Sequence, residues 1–245
     1  MSGDACILAK DFVIIKSYLE IAEAVAEVRE RIAGAARRCG RKPEEILLVA
    51  ATKTVPAERI QEAIRAGIGA LGENRVQEAE EKIREIGDKV AWHLVGHLQT
   101  NKARKAVEIF DWIHAVDSLH LAQAVGKRAR ELGKPVPVLV EVNTSGEATK
   151  YGLSPERAGE ELERIASVEG LAVKGLMTVG SFGPMEEARA CFRNLRRLRD
   201  EIARCAFPNV TMEHLSMGMT NDFEAAIEEG ATMVRIGTAI FGARN

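Results

Sequence analysis

Short apolar runs alternate with amphipathic segments from residue 46 onward. The runs are typical of strands buried on both faces of a parallel sheet. The amphipathic segments repeat their apolar positions every three or four residues, as helices do. The predicted strands are Ile46–Lys53, Ala70–Asn74, Ala91–Gly96, Trp112–Asp117, Val136–Asn143, Leu171–Val179, Thr211–Met217 and Met233–Ile236. The predicted helices between them are Pro56–Ala66, Val76–Ile86, Asn101–Ile109, Leu119–Leu132, Pro155–Val168, Met185–Cys205 and Asp222–Glu229.

This alternation predicts the fold class. Alternating strands and helices require a parallel sheet with right-handed crossovers. Eight strands, the first seven each followed by a helix, favour a closed (β/α)8 barrel (a TIM barrel), with a doubly wound open sheet as the alternative. No linker or change in composition interrupts the series, so residues 1–245 are predicted to form a single domain, with residues 1–16 as an N-terminal extension.

One more helix is predicted ahead of the first strand, over Tyr18–Cys39. The apolar positions that define it are Tyr18, Ile21, Val25, Val28 and Ile32. The chain ends at Asn245, which leaves room only for a truncated helix after the last strand. We therefore expect the leading helix to cover the gap beside the eighth and first strands.

Composition and charge limit the classes of partner that the chain is expected to bind. A net charge of −2 and 4% aromatic residues provide no basic or base-stacking surface for nucleic acid, and no basic surface for an anionic membrane. Residues 1–16 lack the apolar core of a signal peptide, and no run has the length of a membrane span. The four cysteines form no CxxC pair, which indicates free thiols in a reduced cytoplasm.

No metal site is predicted. His93 and His97 are four residues apart, but they flank a strand end and a glycine instead of lying on one helix. Zinc-binding histidine pairs at this spacing are typical of a helix.

Lys53 is the first candidate for chemistry, because it ends the most apolar of the early strands. Most lysines reach solvent, and that is one interpretation of Lys53. The other is that desolvation at the mouth of a barrel lowers its pKa, which makes it an amine able to form a Schiff base with a carbonyl compound.

Other polar residues follow the later strands, at the end of a barrel where function normally resides. Segments 216–220 and 235–238 follow strands seven and eight, a common phosphate site in barrels. Their glycines, Gly218 and Gly237, allow backbone N–H groups to approach an anion, or they only form turns. Arg235 either forms an ion pair at the rim or donates to a heteroaromatic nitrogen, which it would keep unprotonated.

Short motifs at these strand ends occur together in one known family. They are Ala51-Thr52-Lys53, Gly72-Glu73-Asn74, Trp92-His93, Gly96-His97-Leu98-Gln99-Thr100-Asn101-Lys102, Asn143 with Ser145, Lys150 and Gly152, Gly175-Leu176-Met177, His214-Leu215-Ser216-Met217-Gly218-Met219-Thr220 and Val234-Arg235-Ile236-Gly237-Thr238-Ala239-Ile240-Phe241-Gly242. This set resembles the pyridoxal 5′-phosphate (PLP) homeostasis protein family, also called the proline-synthase co-transcribed or YggS-like family. The resemblance runs from about Ile46 to Gly242.

The resemblance implies a cofactor site. The family is similar to the N-terminal barrel of alanine racemase, the fold-type III arrangement of PLP proteins. By this resemblance Lys53 carries PLP as a Schiff base (an internal aldimine), Asn74 lies near the ring and Arg235 faces the pyridine nitrogen. The residues implied to hold the phosphate are Ser216, Gly237 and Thr238. The remaining predicted site members are His214 and Gly218, with Met177, Asn143 and Lys150 as further candidates.

The resemblance also implies a function. Family members bind PLP without an established reaction, maintain vitamin B6 pools, keep free PLP low and deliver PLP to apoenzymes. The expected partners are therefore PLP and PLP-dependent apoenzymes, with the chain as a monomer or weak homodimer in the cytoplasm. Lys150 is either a second, transient site of PLP attachment or a solvated lysine at the rim.

Two enzymatic alternatives remain open. The first is an amino-acid racemase, which needs an acid or base on each face of its substrate. The chain has only Tyr18 and Tyr151 to supply a tyrosine base, and it lacks the C-terminal β-domain of alanine racemase. The second is a Schiff-base aldolase that uses Lys53 directly on a sugar-phosphate carbonyl.

Overall fold

A computed structural model of the chain describes residues 4–205 and 207–243, with the backbone alone for residues 4–17. Eight parallel strands in this part of the chain pair in sequence order, and the eighth pairs with the first. The (β/α)8 barrel is thereby confirmed over the open sheet. The strands are β1 Leu47–Ala51, β2 Ala70–Glu73, β3 Ala91–Leu94, β4 Trp112–Val116, β5 Val136–Glu141, β6 Leu171–Met177, β7 Val210–Ser216 and β8 Met233–Ile236.

Helices separate the strands as the hydrophobic pattern predicted. They are α1 Asp4–Arg38, α2 Ala57–Arg65, α3 Val76–Ile86, α4 Ala103–Ile109, α5 Leu119–Glu131, α6 Pro155–Ala166, α7 Met185–Ala203, α8 Phe223–Glu228 and α9 Thr238–Phe241. Two short 3₁₀ helices, Pro43–Glu45 and Thr100–Lys102, precede β1 and α4. The last helix is a single turn, which confirms the expected truncation.

Helix α1 lies where the eighth helix of the barrel would be. It packs against α2, α8 and α9, which flank β1 and β8. Ile21, Val25 and Val28 are at most 1% exposed on its inner side. On its outer side, Arg31 pairs with Glu224 of α8 at 2.8 Å. The prediction that the leading helix covers this gap is confirmed.

The start of α1 differs from its predicted start. Residues 1–16 were expected as an extension ahead of a helix beginning at Tyr18, but α1 begins at Asp4. Residues 1–3 lie outside the described residues.

The barrel has two separate apolar regions. The larger one lies between the strands and the surrounding helices. The smaller one fills the barrel interior with Ala115, Leu139, Met177 and Met233, one residue from each of four strands. Polar residues lie above and beside this small cluster, and they form the site.

The strands are staggered, so their ends lie at different heights. Ser216, the last residue of β7, pairs with Met233, the first residue of β8. On the other side of β8, Val49 and Ala50 of β1 pair with Arg235 and Ile236. The end of β7 therefore lies well below the end of β8. Such stagger accompanies the tilt of strands in a closed barrel.

Candidate functional site

A cavity of about 530 Å³ opens at the carboxyl ends of the strands. The predicted site residues that line it are Lys53, Asn74, Arg235, Gly237 and Thr238. The other parts of its wall are Ala51, Val95, Met219–Asp222 and residues of the segment 179–188 that follows β6. Side chains that are up to 185 residues apart in the sequence, from Lys53 to Thr238, thus share one cavity because the parallel strands all end on the same side.

Lys53 is half-buried in this cavity, just beyond the end of β1. The backbone on both sides of it is held by α3. Lys82 Nζ donates to the carbonyl oxygen of Thr52 at 2.6 Å, and the N–H of Thr54 donates to the carboxylate of Glu78. Thr54 has a φ of 62°, which few non-glycine residues adopt. The turn that carries Lys53 is therefore fixed by surrounding contacts.

A buried ion pair supports this turn. Lys82 Nζ lies 2.7 Å from Glu73 Oε1, and Glu73 also accepts a hydrogen bond from the hydroxyl of Thr52 at 2.6 Å. Glu73 is fully buried, and burial raises the pKa of its carboxyl in spite of the neighbouring ammonium group. Lys82, Glu73 and Thr52 were not predicted as members of the site, although Thr52 and Glu73 directly precede Lys53 and Asn74 in the sequence.

Arg235 projects from β8 into the cavity and is 5% exposed. Its Nη1 donates to Ser216 Oγ at 2.6 Å, and its Nη2 donates to the carbonyl oxygen of Thr178 at 2.8 Å. Burial lowers the pKa of Arg235 to about 10, against the opposing effect of the carboxylates of Glu141 and Asp222. The guanidinium is therefore a cation at neutral pH, held at the cavity wall with fixed donors.

A row of buried polar side chains lies behind Arg235. Ser216 Oγ is 3.0 Å from His114 Nδ1, and His114 Nε2 is 2.9 Å from His93 Nδ1. Burial, with the nearby charge of His214, lowers the pKa of His93 to about 4. Burial also lowers the pKa of His114 well below its usual value, so both imidazoles are neutral at pH 7.

The connections after β7 and β8 form the other end of the cavity. Met219, Thr220 and Asn221 line it on one side, and Gly237 and Thr238 on the other. Helix α9 begins at Thr238, and the N–H groups of Ile240 and Phe241 donate to the carbonyl oxygen of Gly237, which leaves those of Thr238 and Ala239 without an acceptor in the helix. Hydroxyl and backbone N–H donors on two neighbouring connections are a suitable set for an anion.

Gly218 lies behind this end of the cavity and does not line it. Its φ is 93°, and a Cβ atom at this position would be 2.6 Å from Cβ of Ala226 in α8. Its carbonyl oxygen accepts from the N–H of Arg235 at 3.0 Å. Gly218 therefore allows the connection to pass close to α8, and so brings Met219–Asn221 to the cavity.

Two other predicted members lie away from the cavity. Ser216 is fully buried, and its hydroxyl bonds with Arg235 and His114. Met177 is 1% exposed in the barrel interior. Both end their strands, but the ends of β6 and β7 are paired with each other below the level of the cavity.

His214 requires a correction, because it was expected beside the cofactor. Its ring packs edge-on against Trp112, with 5.3 Å between the ring centroids. Both residues line a second cavity of about 920 Å³, together with Leu47, which begins β1. His214 therefore lies toward the amino ends of the strands. The low position of β7 in the barrel puts it there.

Asn143 and Lys150 belong to a loop at the rim. The side-chain amide of Asn143 donates to the carbonyl oxygens of Glu147 and Lys150 and so shapes the loop. Lys150 Nζ donates to Glu147 at 2.6 Å and to the carbonyl oxygen of Gly180 at 2.8 Å. It also lies 4.7 Å from the ring centroid of Phe182, which lines the cavity. The loop is thereby connected to the cavity wall, although neither residue lines it.

The two tyrosines have separate positions. Tyr18 lies below the guanidinium of Arg65 of α2, on the outside of the barrel. Tyr151 stacks on the ring of His97 with 3.7 Å between centroids, and His97 pairs with Asp117 at 3.0 Å. Tyr151 is 56% exposed, so its ring is at the outer rim.

The described residues contain neither a metal-binding cluster nor a membrane-spanning helix. Within residues 4–205 and 207–243, no cluster of three or more His, Cys, Asp or Glu residues is arranged to hold a metal ion. In the same ranges, no helix combines the length and the apolar character that crossing a membrane requires.

Three groups of cavity residues were missed from the sequence. Thr220 ends the segment 216–220 that was predicted as a phosphate site, but Ser216 was named there as the phosphate ligand and Thr220 was not; Asn221 follows directly. The segment 179–183 follows strand six, and the rule that strand ends carry function applied to it equally. Asp222 was predicted only as the first residue of a helix; it occupies the N-cap position of α8, lines the cavity, and its carboxylate accepts from the N–H of Met219.

Comparison with known proteins places this architecture among PLP proteins. Residues 24–245 match the family model described as alanine racemase, N-terminal domain. The pyridoxal phosphate homeostasis protein of Aquifex aeolicus is 45% identical over 225 residues, covering 91% of this chain and 97% of the relative. The protein of the same name from Escherichia coli K12 is 43% identical over 233 residues, covering 92% and 97% of the two chains.

A solved structure of PipY from Synechococcus elongatus PCC7942, with PLP bound, is similar to this chain with a TM-score of 0.79. The two sequences are 37% identical, and the match covers 91% of this chain and all of PipY. The similarity therefore includes the whole barrel.

Proposed function

This chain belongs to the pyridoxal phosphate homeostasis protein family, and from that membership we propose that it binds PLP in the cavity at the carboxyl ends of the strands. One observation carries the proposal. A single cavity contains the amine-bearing Lys53, the guanidinium of Arg235 and the donors of Thr220, Gly237 and Thr238. These match an aldehyde, a pyridine nitrogen and a phosphate, which are three of the polar groups of PLP.

Lys53 is the residue that attaches the cofactor. PLP supplies a reactive aldehyde that a primary amine takes up reversibly. Lys53 lies in a turn whose backbone is held by Lys82 and Glu78, so its amine is delivered from a fixed point on the wall. The hydroxyls of Thr220 and Thr238 and the N–H groups at the start of α9 receive the phosphate, in place of the Ser216 hydroxyl that was expected there.

Arg235 determines the character of the site. A guanidinium can only donate hydrogen bonds, so beside the pyridine nitrogen it keeps that nitrogen unprotonated. A pyridine without this proton withdraws electrons weakly, and electron withdrawal is what PLP enzymes use for turnover. The site is therefore suited to holding PLP, and racemisation is disfavoured.

At the level of the cell, the chain stores PLP and limits the free aldehyde, in keeping with the name of its relatives. It acts as one domain in the cytoplasm, as a monomer or weak homodimer, and it delivers PLP to PLP-dependent apoenzymes. Lys150 is near enough to the cavity wall to take up PLP in transit.

Lys53→Ala tests the attachment. We expect the wild-type protein to be yellow with PLP, and borohydride to fix the mass of the reduced cofactor on the peptide that contains Lys53. Lys53→Ala should lose at least nine-tenths of this adduct, because the half-buried amine is removed, while circular dichroism stays unchanged. Lys150→Ala is the matched control and should keep the adduct. A colourless wild-type protein, or an adduct that persists in Lys53→Ala, would refute the assignment.

The enzymatic alternatives need separate assays. A racemase converts L-alanine or L-serine to the D-isomer, and an aldolase is trapped by borohydride with a sugar phosphate. We expect neither result. Tyr18 is on the outside of the barrel and Tyr151 is at the rim, so neither tyrosine is in the cavity to serve as a base. Production of D-isomer in amounts proportional to protein would show that the site turns over substrate.

A further inference from the structure

The hydrogen bonds behind Arg235 have a fixed direction. A guanidinium has donors only, so Ser216 Oγ must accept from Arg235. The serine hydroxyl is buried and has one proton to give, and among the described residues its hydrogen-bond partner besides Arg235 is His114 Nδ1, which is therefore the acceptor for that proton. His114 therefore accepts at Nδ1 and carries its own proton on Nε2, which donates to His93 Nδ1. The donor-only guanidinium of Arg235 thus sets the tautomers of two buried histidines.

This row ends at the cavity wall and has no contact with solvent along its length. Ser216 and His114 are fully buried, and His93 is 1% exposed. The guanidinium also donates to the carbonyl oxygen of Thr178, which directly follows β6. Two anchors, on different strands, hold a planar group that has a fixed fork of donors.

We propose that Ser216 and His114 are positioning residues that fix the orientation of Arg235 toward the cavity, and that Ser216 is not a phosphate ligand. The inference deepens the proposed function and rests on it, since the partner of Arg235 is the ring of the bound cofactor. The phosphate contact on this connection belongs to Thr220, which lines the cavity where Ser216 does not.

The two assignments predict different losses of affinity for PLP and for pyridoxal, which lacks the phosphate. Ser216→Ala removes one anchor of Arg235 and should weaken both ligands equally, by about tenfold, as expected for loss of a charged hydrogen bond. Thr220→Ala is the matched deletion of a hydroxyl on the same connection. It should weaken PLP by about tenfold and leave pyridoxal within a factor of two.

The histidine tautomers give a second result that needs no cofactor. Nitrogen-15 spectra of the protein at pH 7 should show His114 and His93 as neutral, each with its proton on Nε2. In Ser216→Ala the acceptor Nδ1 of His114 loses its donor, so its resonance should shift, while the spectrum of Thr220→Ala stays unchanged. If Ser216 only filled space, its replacement would not shift the resonance of His114 Nδ1 in particular.

Three results would overturn the inference. One is a fall in the ratio of PLP to pyridoxal affinity in Ser216→Ala like that in Thr220→Ala, since it would make Ser216 a phosphate ligand. Another is a His114 proton on Nδ1, and the third is an unchanged His114 resonance. If Ser216→Ala does not fold, Ser216→Cys takes its place, because cysteine differs from serine in one atom and its sulfur is only a weak acceptor. If the wild type binds neither ligand, the proposed function fails. The proton positions on His114 and His93 then remain as the test of the hydrogen-bonded row.

Discussion

Glu141, at the end of β5, is a buried carboxyl group in a region that also contains Arg235 and Asp117. It is 6% exposed, and its Oε2 has no hydrogen-bond partner among the described residues. Burial and the charge of Asp117 raise its pKa to about 7, although Arg235 favours the charged form. Near neutral pH, this carboxyl therefore exchanges its proton inside the barrel mouth.

The raised pKa of Glu141 predicts a pH-dependent stability. A carboxyl that holds its proton more tightly in the folded state stabilises the fold fully below pH 4.5, and that contribution is lost as the pH rises through about 7. The shift corresponds to roughly 3 kcal/mol. Glu141→Gln stays neutral throughout, so relative to wild type it should gain about this free energy of unfolding between pH 4.5 and 8.

Urea unfolding of both proteins over this range measures the difference. The measurement at pH 4.5 is the internal control, because the wild-type carboxyl is then protonated in the fold and the two proteins should be nearly equal in stability. A difference that does not change with pH would mean that Glu141 is charged in the folded protein, with an unseen partner.

At the scale of elements, α3 controls the end of β1. It supplies Lys82 and Glu78, which form hydrogen bonds with the backbone around Lys53, and Lys82 also pairs with Glu73 of β2. One helix thereby joins the ends of two neighbouring strands. Its register on the barrel sets the position of the lysine turn, so the cofactor site depends on packing outside the cavity.

Lys82→Met tests this connection. The change leaves Glu73 fully buried with its charge uncompensated, and breaking a buried pair in this way costs about 3–5 kcal/mol. We expect the free energy of unfolding in urea to fall by that amount. The double variant Glu73→Gln with Lys82→Met removes both charges and should recover part of the loss. If the double variant is no more stable than Lys82→Met, the ion pair is not what holds the two strand ends.

At the scale of the whole molecule, the barrel is completed by the segment that comes first in the chain. Helix α1 fills the place beside β8 and β1 that the single turn of α9 leaves open. The first and last elements are therefore packed together, and the folding of the barrel should depend on both.

Ile21→Ala tests whether α1 is part of the barrel. Ile21 is fully buried, and such a truncation costs about 2–5 kcal/mol. The loss should appear equally in far-UV circular dichroism and in the fluorescence of Trp92 and Trp112, which lie on β3 and β4 and not on α1 itself. Leu19→Ala is the control on the same helix, since Leu19 is 52% exposed. An unshifted tryptophan transition in Ile21→Ala would make α1 a separate appendage.

The sequence by itself determined the fold class, the covering role of the leading helix and the positions of Lys53 and Arg235. It could do so because the apolar period is local, and because parallel strands bring their carboxyl ends to one side whatever their order. It did not determine which residues near a strand end reach the cavity. That depends on the stagger of neighbouring strands, a property of the closed barrel. Because β7 sits low beside β8, Ser216 lies below the cavity and His214 lies toward the opposite end of the barrel. Thr220, in the connection after β7, lies at the cavity wall. Only the tertiary structure could separate these three.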